Sequence, residues 1–241
     1  MSQESGDVVP RGTDSDRIGS NEAPEAAITS RVDLVTAALR DAILDGRLRP
    51  GERISQEGVA DDLGTSRVPV REAFRRLESE GLIILVPRSG AWVAKLAFDE
   101  YTEVYRIREW LEPPAVAASV PHLTDAQVDE LRSLVEAMEA ATEPIVWLDL
   151  DRRFHLLSYA GAPLPRLRRM IEGFWNTTQQ YRRVHFDYLG GSGDLSQVHA
   201  EHRLLLSAFV RKDAAAAEEL LRMHIRRTRN DLARSPELFD Q

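Results

Sequence analysis

The stretch from Ser66 to Leu82, SRVPVREAFRRLESEGL, lays two chemically opposed stripes along one helix. Val70, Phe74 and Leu77 recur at spacings of four and three, which gives a face to bury, while Arg67, Arg71 and Arg75 recur every fourth residue on the opposite side. Gly64 ahead of the run and Gly81 within its end set the limits. Ser66 reads as the N-cap, and Pro69 is tolerable because the first turn has no intrahelical donor to lose. Such an arginine stripe is ordinarily a solvated face, here with Glu72, Glu78 and Glu80 nearby. Three arginines with no acid interleaved on their own face, beside a helix N-terminus suited to phosphate oxygens, favour an anionic partner instead.

The surrounding pattern decides what this helix belongs to. Val32, Val35, Leu39, Ile43 and Leu44 fall on one face of a preceding helix that begins at Arg31 and stops at Asp45-Gly46, before Pro50-Gly51. A second short helix is expected over Ser55 to Leu63, and the turn LGTS leads into the third. After Gly81 the runs LIILV and AWVAKL are β-prone and joined by PRSG, a hairpin with Arg88 at its tip. Three helices and a two-stranded hairpin make a winged helix-turn-helix over residues 31–96. Residues 1–30 are rich in Ser, Gly, Asp and Glu, with too few large apolar side chains to offset ordering, and are expected to form a disordered tail.

Composition excludes several classes. With no Cys there are neither disulfides nor thiolate metal sites, and a reducing, cytoplasmic setting fits. The longest aliphatic run, Leu82 to Val86, is far too short for a bilayer, so no membrane partner is expected. A net charge of −8 argues against nucleic acid until its distribution is considered. Residues 65–96 carry 6 basic and 3 acidic side chains, and a local patch is what phosphate contact requires.

GTSRVPVREAFRRLESEGLI followed by PRSGAWV resembles the DNA-binding domain of GntR-type bacterial transcription regulators. The resemblance implies that Arg67 and Arg71 read the major groove of operator DNA, with Ser66 and Val68 beside them and Arg88 and Gly90 in the wing. Val68 stands where Thr is common, and Ser89 where a second basic wing residue is common.

From Phe98 onward the pattern is helical, with breaks at Pro121, Thr142 to Pro144, Gly161 to Pro165, Gly190 to Gly193 and Arg211 to Asp213. The fold expected is therefore mainly α, a winged helix-turn-helix followed by an all-helical bundle of six or seven helices over residues 97–235, large enough to pair with a copy of itself as a homodimer. Thr124 and Gln127 read as a capping box. Asp151 and His155 lie one turn apart on one helix face. His202 and His224 each lie 11 residues from Asp213, so a helical hairpin about that break brings both imidazoles to the same height. One carboxylate and three imidazoles suit a divalent transition metal, Zn²⁺ foremost. Singly, each histidine is more often an ordinary core or surface residue. His199 stands nearly one turn before His202, either beside the site or merely exposed, and neither His122 nor His185 fits the hairpin.

The run from Asp151 to His155, together with EHRLLLSAF and LLRMH, resembles the metal-binding effector domain of the FadR-like branch of the same family. That resemblance assigns Asp151, His155, His202 and His224 as ligands. Within YRIREWLEPPAV it also implies that Arg108 points into an effector cavity, where a small carboxylate would bridge it to the metal. Pro113-Pro114 departs from the usual single proline and is expected to sharpen a kink; Ala162 stands where Asn is frequent. The function expected is an effector-controlled transcription regulator, a repressor by preference. A metal-dependent enzyme or a direct metal sensor is the alternative, the enzyme disfavoured because no separate acid, base or nucleophile motif accompanies the ligands.

Overall fold

In the computed structural model, residues 22–87, 89–188 and 195–234 are described. The first helix, α1, spans Glu22–Leu44 and so starts well ahead of Arg31, where the apolar periodicity begins. The residues that extend it, EAPEAAITS, are mostly good helix formers with no apolar stripe, which is why burial patterning does not announce them. The remaining residues of the expected tail lie outside the described ones.

A short strand β1, Arg53–Ile54, precedes α2, Gln56–Asp62, and α3, Arg67–Ser79. Ser55 caps α2 by accepting from the Gly58 amide at 3.2 Å. Strands β2, Ile83–Val86, and β3, Gly90–Val93, form the hairpin, and β1 pairs with β3 to give the order β1-β3-β2. The wing is thus three-stranded, not two. Arg53 faces Trp92 and Ile54 faces Ala91, and two residues are too few to leave a period in the sequence. Val70, Ala73, Phe74 and Leu77 of α3 close a core with α1, β2 and β3, so the predicted buried face is the observed one.

Six further helices build the second domain: α4 Phe98–Ser119, α5 Asp125–Ala140, α6 Pro144–Ser158, α7 Pro165–Tyr188, α8 Ser196–Val210 and α9 Ala214–Leu232, with a 3-10 turn at Val120–His122. Helix α4 continues as helix on both sides of Pro113 and Pro114. Thr124 and Gln127 form the capping box. Lys212, at φ 56, makes the left-handed turn that reverses α8 into α9, which gives the predicted hairpin. The break expected at Gly190 to Gly193 falls outside the described residues. The last helix, α9, packs along the first, α4, and a core separate from that of the DNA-binding domain runs between them. Among the described residues no helix is long and apolar enough to cross a membrane.

Candidate DNA interface and metal centre

Helix α3 begins at Ser66, whose backbone is extended (φ −86, ψ 166) as an N-cap requires, yet its hydroxyl makes no capping hydrogen bond. Part of the reason is local. A capping oxygen normally takes the amide of the second or third helical residue, and the third here is Pro69, which has none, so only the Val68 amide remains. Ser66, Arg67, Val68 and Arg71 are all exposed along the start of the helix. Arg67, Arg71 and Arg75 line one groove with Arg53, Gln56 and Gly90 of the wing side. Gly90, at φ 105, holds a conformation that side-chain-bearing residues rarely adopt. Arg53 donates to the Ser89 carbonyl at 3.0 Å and so adds a cation that the sequence reading missed, because strand β1 went unseen. Arg88 lies outside the described residues.

The stripe is not free of acids. Arg67 pairs with Glu57, and Glu72 lies 3.8 Å from Arg71 and 3.0 Å from Arg75. All these side chains are exposed, so each pair is worth little and yields readily to a phosphate.

The metal candidates converge. Asp151 and His155 project from α6, His202 from α8 and His224 from α9, all buried, with one ligand atom from each within 4.8 Å of the others. The Nε2 atoms of His155 and His202 stand 3.4 Å apart. Asp151 Oδ1 is 3.2 Å from His202 Nε2 and 3.7 Å from His155 Nε2, but it forms no well-directed hydrogen bond. Asp151 Oδ1 and the Nδ1 atoms of His155 and His202 are buried without a hydrogen bond while the two Nε2 atoms face each other, and a buried carboxylate with three imidazoles is a donor set that suits a divalent cation.

Electrostatics prepare the ligands. Burial pushes the Asp151 carboxyl up, but the guanidinium of Arg182, 2.5 Å from Oδ2, and the neighbouring imidazoles outweigh it and hold the carboxyl well below the usual range. Burial drives His155 well below its ordinary value against the pull of Asp151. It likewise lowers His224 to about 4, opposed by Glu201. Neutral imidazoles are the ligating form. Glu201 Oε2 lies 2.7 Å from His224 Nδ1, and Arg227 donates to Glu201 Oε1 at 2.7 Å and to Oε2 at 2.9 Å. Since a carboxylate only accepts, Nδ1 carries the proton and Nε2 is left to ligate.

His199 is outside the cluster: its Nε2 accepts from Trp147 Nε1 at 3.0 Å, and the Trp147 ring in turn lies beside His202, 6.3 Å between centroids. His122 is absent from the cluster too, and the side chain of His185 falls outside the described residues.

Arg108 is buried beside this centre. Its Nε donates to Glu112 Oε1 at 2.6 Å, its Nη1 reaches Thr178 Oγ1 at 3.3 Å, and Tyr159 donates to the other Glu112 oxygen at 2.7 Å. Burial would lower the Arg108 pKa, but Glu112 raises it further. Its acidic partner is therefore on its own helix, not on a neighbouring one. Trp175 links the two groups: the His155 ring stacks on it at 5.1 Å, and the guanidiniums of Arg108 and Arg182 sit 4.2 and 4.8 Å from its centroid. Arg182, Trp175 and Arg227 carried no signal of their own in the sequence, since only the folded helices bring them to the ligands.

Comparison with known proteins agrees with both halves. Residues 32–93 match bacterial regulatory proteins of the gntR family, and residues 103–227 match the FCD domain. The HTH-type transcriptional regulator McbR of Escherichia coli K12 is 30% identical over 207 residues, 84% of this chain and 91% of that protein. The HTH-type transcriptional repressor RspR of the same organism is 27% identical over 190 residues, 78% of this chain and 82% of that protein. The solved structure of E. coli McbR superimposes with a TM-score of 0.73 at 28% identity, covering 85% of this chain and 98% of that one. These relatives are transcription regulators, not enzymes, which removes the metalloenzyme alternative. With a helix-turn-helix and wing of that family joined to an FCD domain, the chain belongs to the gntR family of bacterial transcription regulators.

Proposed function

We propose that this regulator is a cytoplasmic, homodimeric repressor whose operator affinity is set by a small carboxylate bound at a metal ion between α6, α8 and α9. The observation that carries the reading is the buried meeting of Asp151, His155, His202 and His224, with Asp151 Oδ1 and the Nδ1 atoms of His155 and His202 left without a hydrogen bond. A divalent ion, Zn²⁺ by preference, would supply a coordination position open to the carboxylate. The chain's own groups do the rest. Arg182 holds Asp151 at Oδ2 and leaves Oδ1 to ligate, Glu201 fixes the His224 tautomer, and Arg108 on the shared Trp175 face offers a guanidinium to the same carboxylate. Ser66, Arg67, Val68 and Arg71 read bases and phosphates, with the wing at Arg88 and Gly90 on the flanking backbone. One recognition helix covers few base pairs, so two related by a dyad are needed for useful specificity.

Elemental analysis tests the centre: about one divalent ion per chain is expected, with sharp loss in His202→Ala and in His224→Ala and none in His122→Ala. Equal metal content in all three variants would refute it. Adding a small hydroxycarboxylate to metal-loaded and to metal-free protein separates an effector-gated regulator from one that answers to metal alone.

A further inference from the structure

The hydrophobic cores of the two domains are separate, so the link between the ligand helices and the DNA-binding domain has to be sought elsewhere. It is polar, and it runs through α7. Arg152 follows the ligand Asp151 on α6 and is itself buried; its Nη2 donates to Asn176 Oδ1 at 2.6 Å. Asn176, 3% exposed, donates from Nδ2 to the Glu80 carbonyl at 3.0 Å. Its neighbours force the orientation of this amide, because a guanidinium can only donate and a carbonyl can only accept.

Glu80 ends the recognition helix. Its amide closes on the Arg76 carbonyl, and its carboxylate takes both Nε and Nη2 of Arg40 on α1, at 2.8 and 2.6 Å. Gly81 follows at φ 74, and a Cβ there would stand 3.0 Å from Thr177 Cγ2, so the turn after α3 lies close against α7. A second arm runs parallel. Arg182 grips Asp151, and the preceding residue, Tyr181, accepts from the Leu96 amide at 2.5 Å and donates to the Leu96 carbonyl at 3.0 Å, in the segment between β3 and α4. Arg183 also donates to the Asp45 carbonyl at the end of α1. One helix therefore touches the Asp151 site through Arg182, its neighbour Arg152 through Asn176, and the exits of α1, α3 and β3.

We infer that Asn176 is the connector through which the state of the Asp151 site is transmitted to the C-terminal end of the recognition helix. The inference rests on the metal reading above for its trigger, not for the contacts themselves. A displacement of Asp151 carries Arg152 with it, and the amide has no second orientation that satisfies both of its neighbours. The shift is passed to Glu80 because Arg40 holds its carboxylate and Thr177 stands close against the following Gly81, which leaves the turn little room to absorb it.

Hydrogen exchange on the full chain, with Zn²⁺ and with chelator, tests this. Zinc is expected to slow exchange about fivefold or more both in the ligand helices, residues 148–156 and 200–206, and at the end of the recognition helix, residues 77–83. Asn176→Asp still accepts from Arg152 but cannot donate to Glu80, so it folds with its buried cation paired. In that variant the ligand helices keep their zinc protection, and residues 77–83 lose it. Protection of 77–83 undiminished in Asn176→Asp, or absent from the wild type while the ligand helices respond, overturns the connector. If zinc protects neither 148–156 nor 200–206, the metal reading fails, and metal-free protein decides the connector. Arg152→Met must then speed exchange at 77–83 in the wild type and not in the Asn176→Asp background, and equal acceleration in both overturns it.

Discussion

The molecule keeps two populations of arginine that differ in almost every physical respect. Arg67, Arg71 and Arg75 have side chains roughly three-fifths exposed, at 65%, 59% and 62%, and their partners Glu57 and Glu72 are exposed too. Arg108 and Arg182 are 3% and 10% exposed, facing Glu112 and Asp151 at 0% and 1%. An exposed pair contributes under about 1 kcal/mol and changes partner freely. A buried pair is costly to break, because removing one charge strands the other in a low dielectric. Guanidiniums on α3 are thus free to meet a second molecule. Those between α4, α6 and α7 are anchored to buried carboxylates, so a ligand that meets Arg108 has to share it with Glu112.

The sharpest way to break this contrast is Arg182→Met. It leaves Asp151 buried without its guanidinium, and a stability loss of about 3–5 kcal/mol in urea unfolding of metal-free protein is expected. Acid should act on the same region. The folded His224 titrates at about 4 against an ordinary 6.5, so between those values the unfolded chain binds the extra proton. Through His224 stability therefore falls as pH drops from 6.5 to about 4, by about 3 kcal/mol, and His224→Gln should remove that share of the slope and leave the share of the depressed His155. Glu201, held near 2 by His224 and Arg227 against the upward push of burial, adds its own loss only below about 4.5.

Arg71→Ala should weaken operator binding by about 1–3 kcal/mol in fluorescence anisotropy at fixed salt, and unaltered affinity would remove α3 from the interface. Glu201→Gln, which loses the carboxylate that orients His224, should weaken zinc about 10- to 100-fold in chelator competition. The smallest effect is the most telling for the contrast: Arg67→Ala should move the unfolding free energy by no more than about 0.5 kcal/mol while operator affinity falls.

What the sequence made legible follows the same division. Arg67, Arg71 and Arg75 share a face because of a local period, and Asp151 with His155 does so for the same reason. His202 and His224 meet because a turn at Asp213 divides two equal arms, a non-local fact with a local signature. Arg152, Asn176 and Glu80 have no such signature: they lie on three elements from two domains, and only the packing of α7 aligns them. Glu57 escaped notice because it comes from α2, while Glu72, already seen near the stripe, reaches across its own helix surface to Arg75. That Ser66 has one capping amide fewer was legible in principle, since Pro69 was in plain view.

The packing of α9 along α4 sets a schedule for synthesis. Residues 31–96 hold every apolar group of their own core, so an emerging chain can fold its DNA-binding domain while the remainder is still being translated. The second domain cannot close until its last helix has cleared the ribosome, because Leu221 and Ile225 of α9 complete a core that Tyr101 and Val116 of α4 began, and His224 arrives with them. A nascent chain therefore completes its DNA-binding domain before it completes the domain in which the proposed effector would bind.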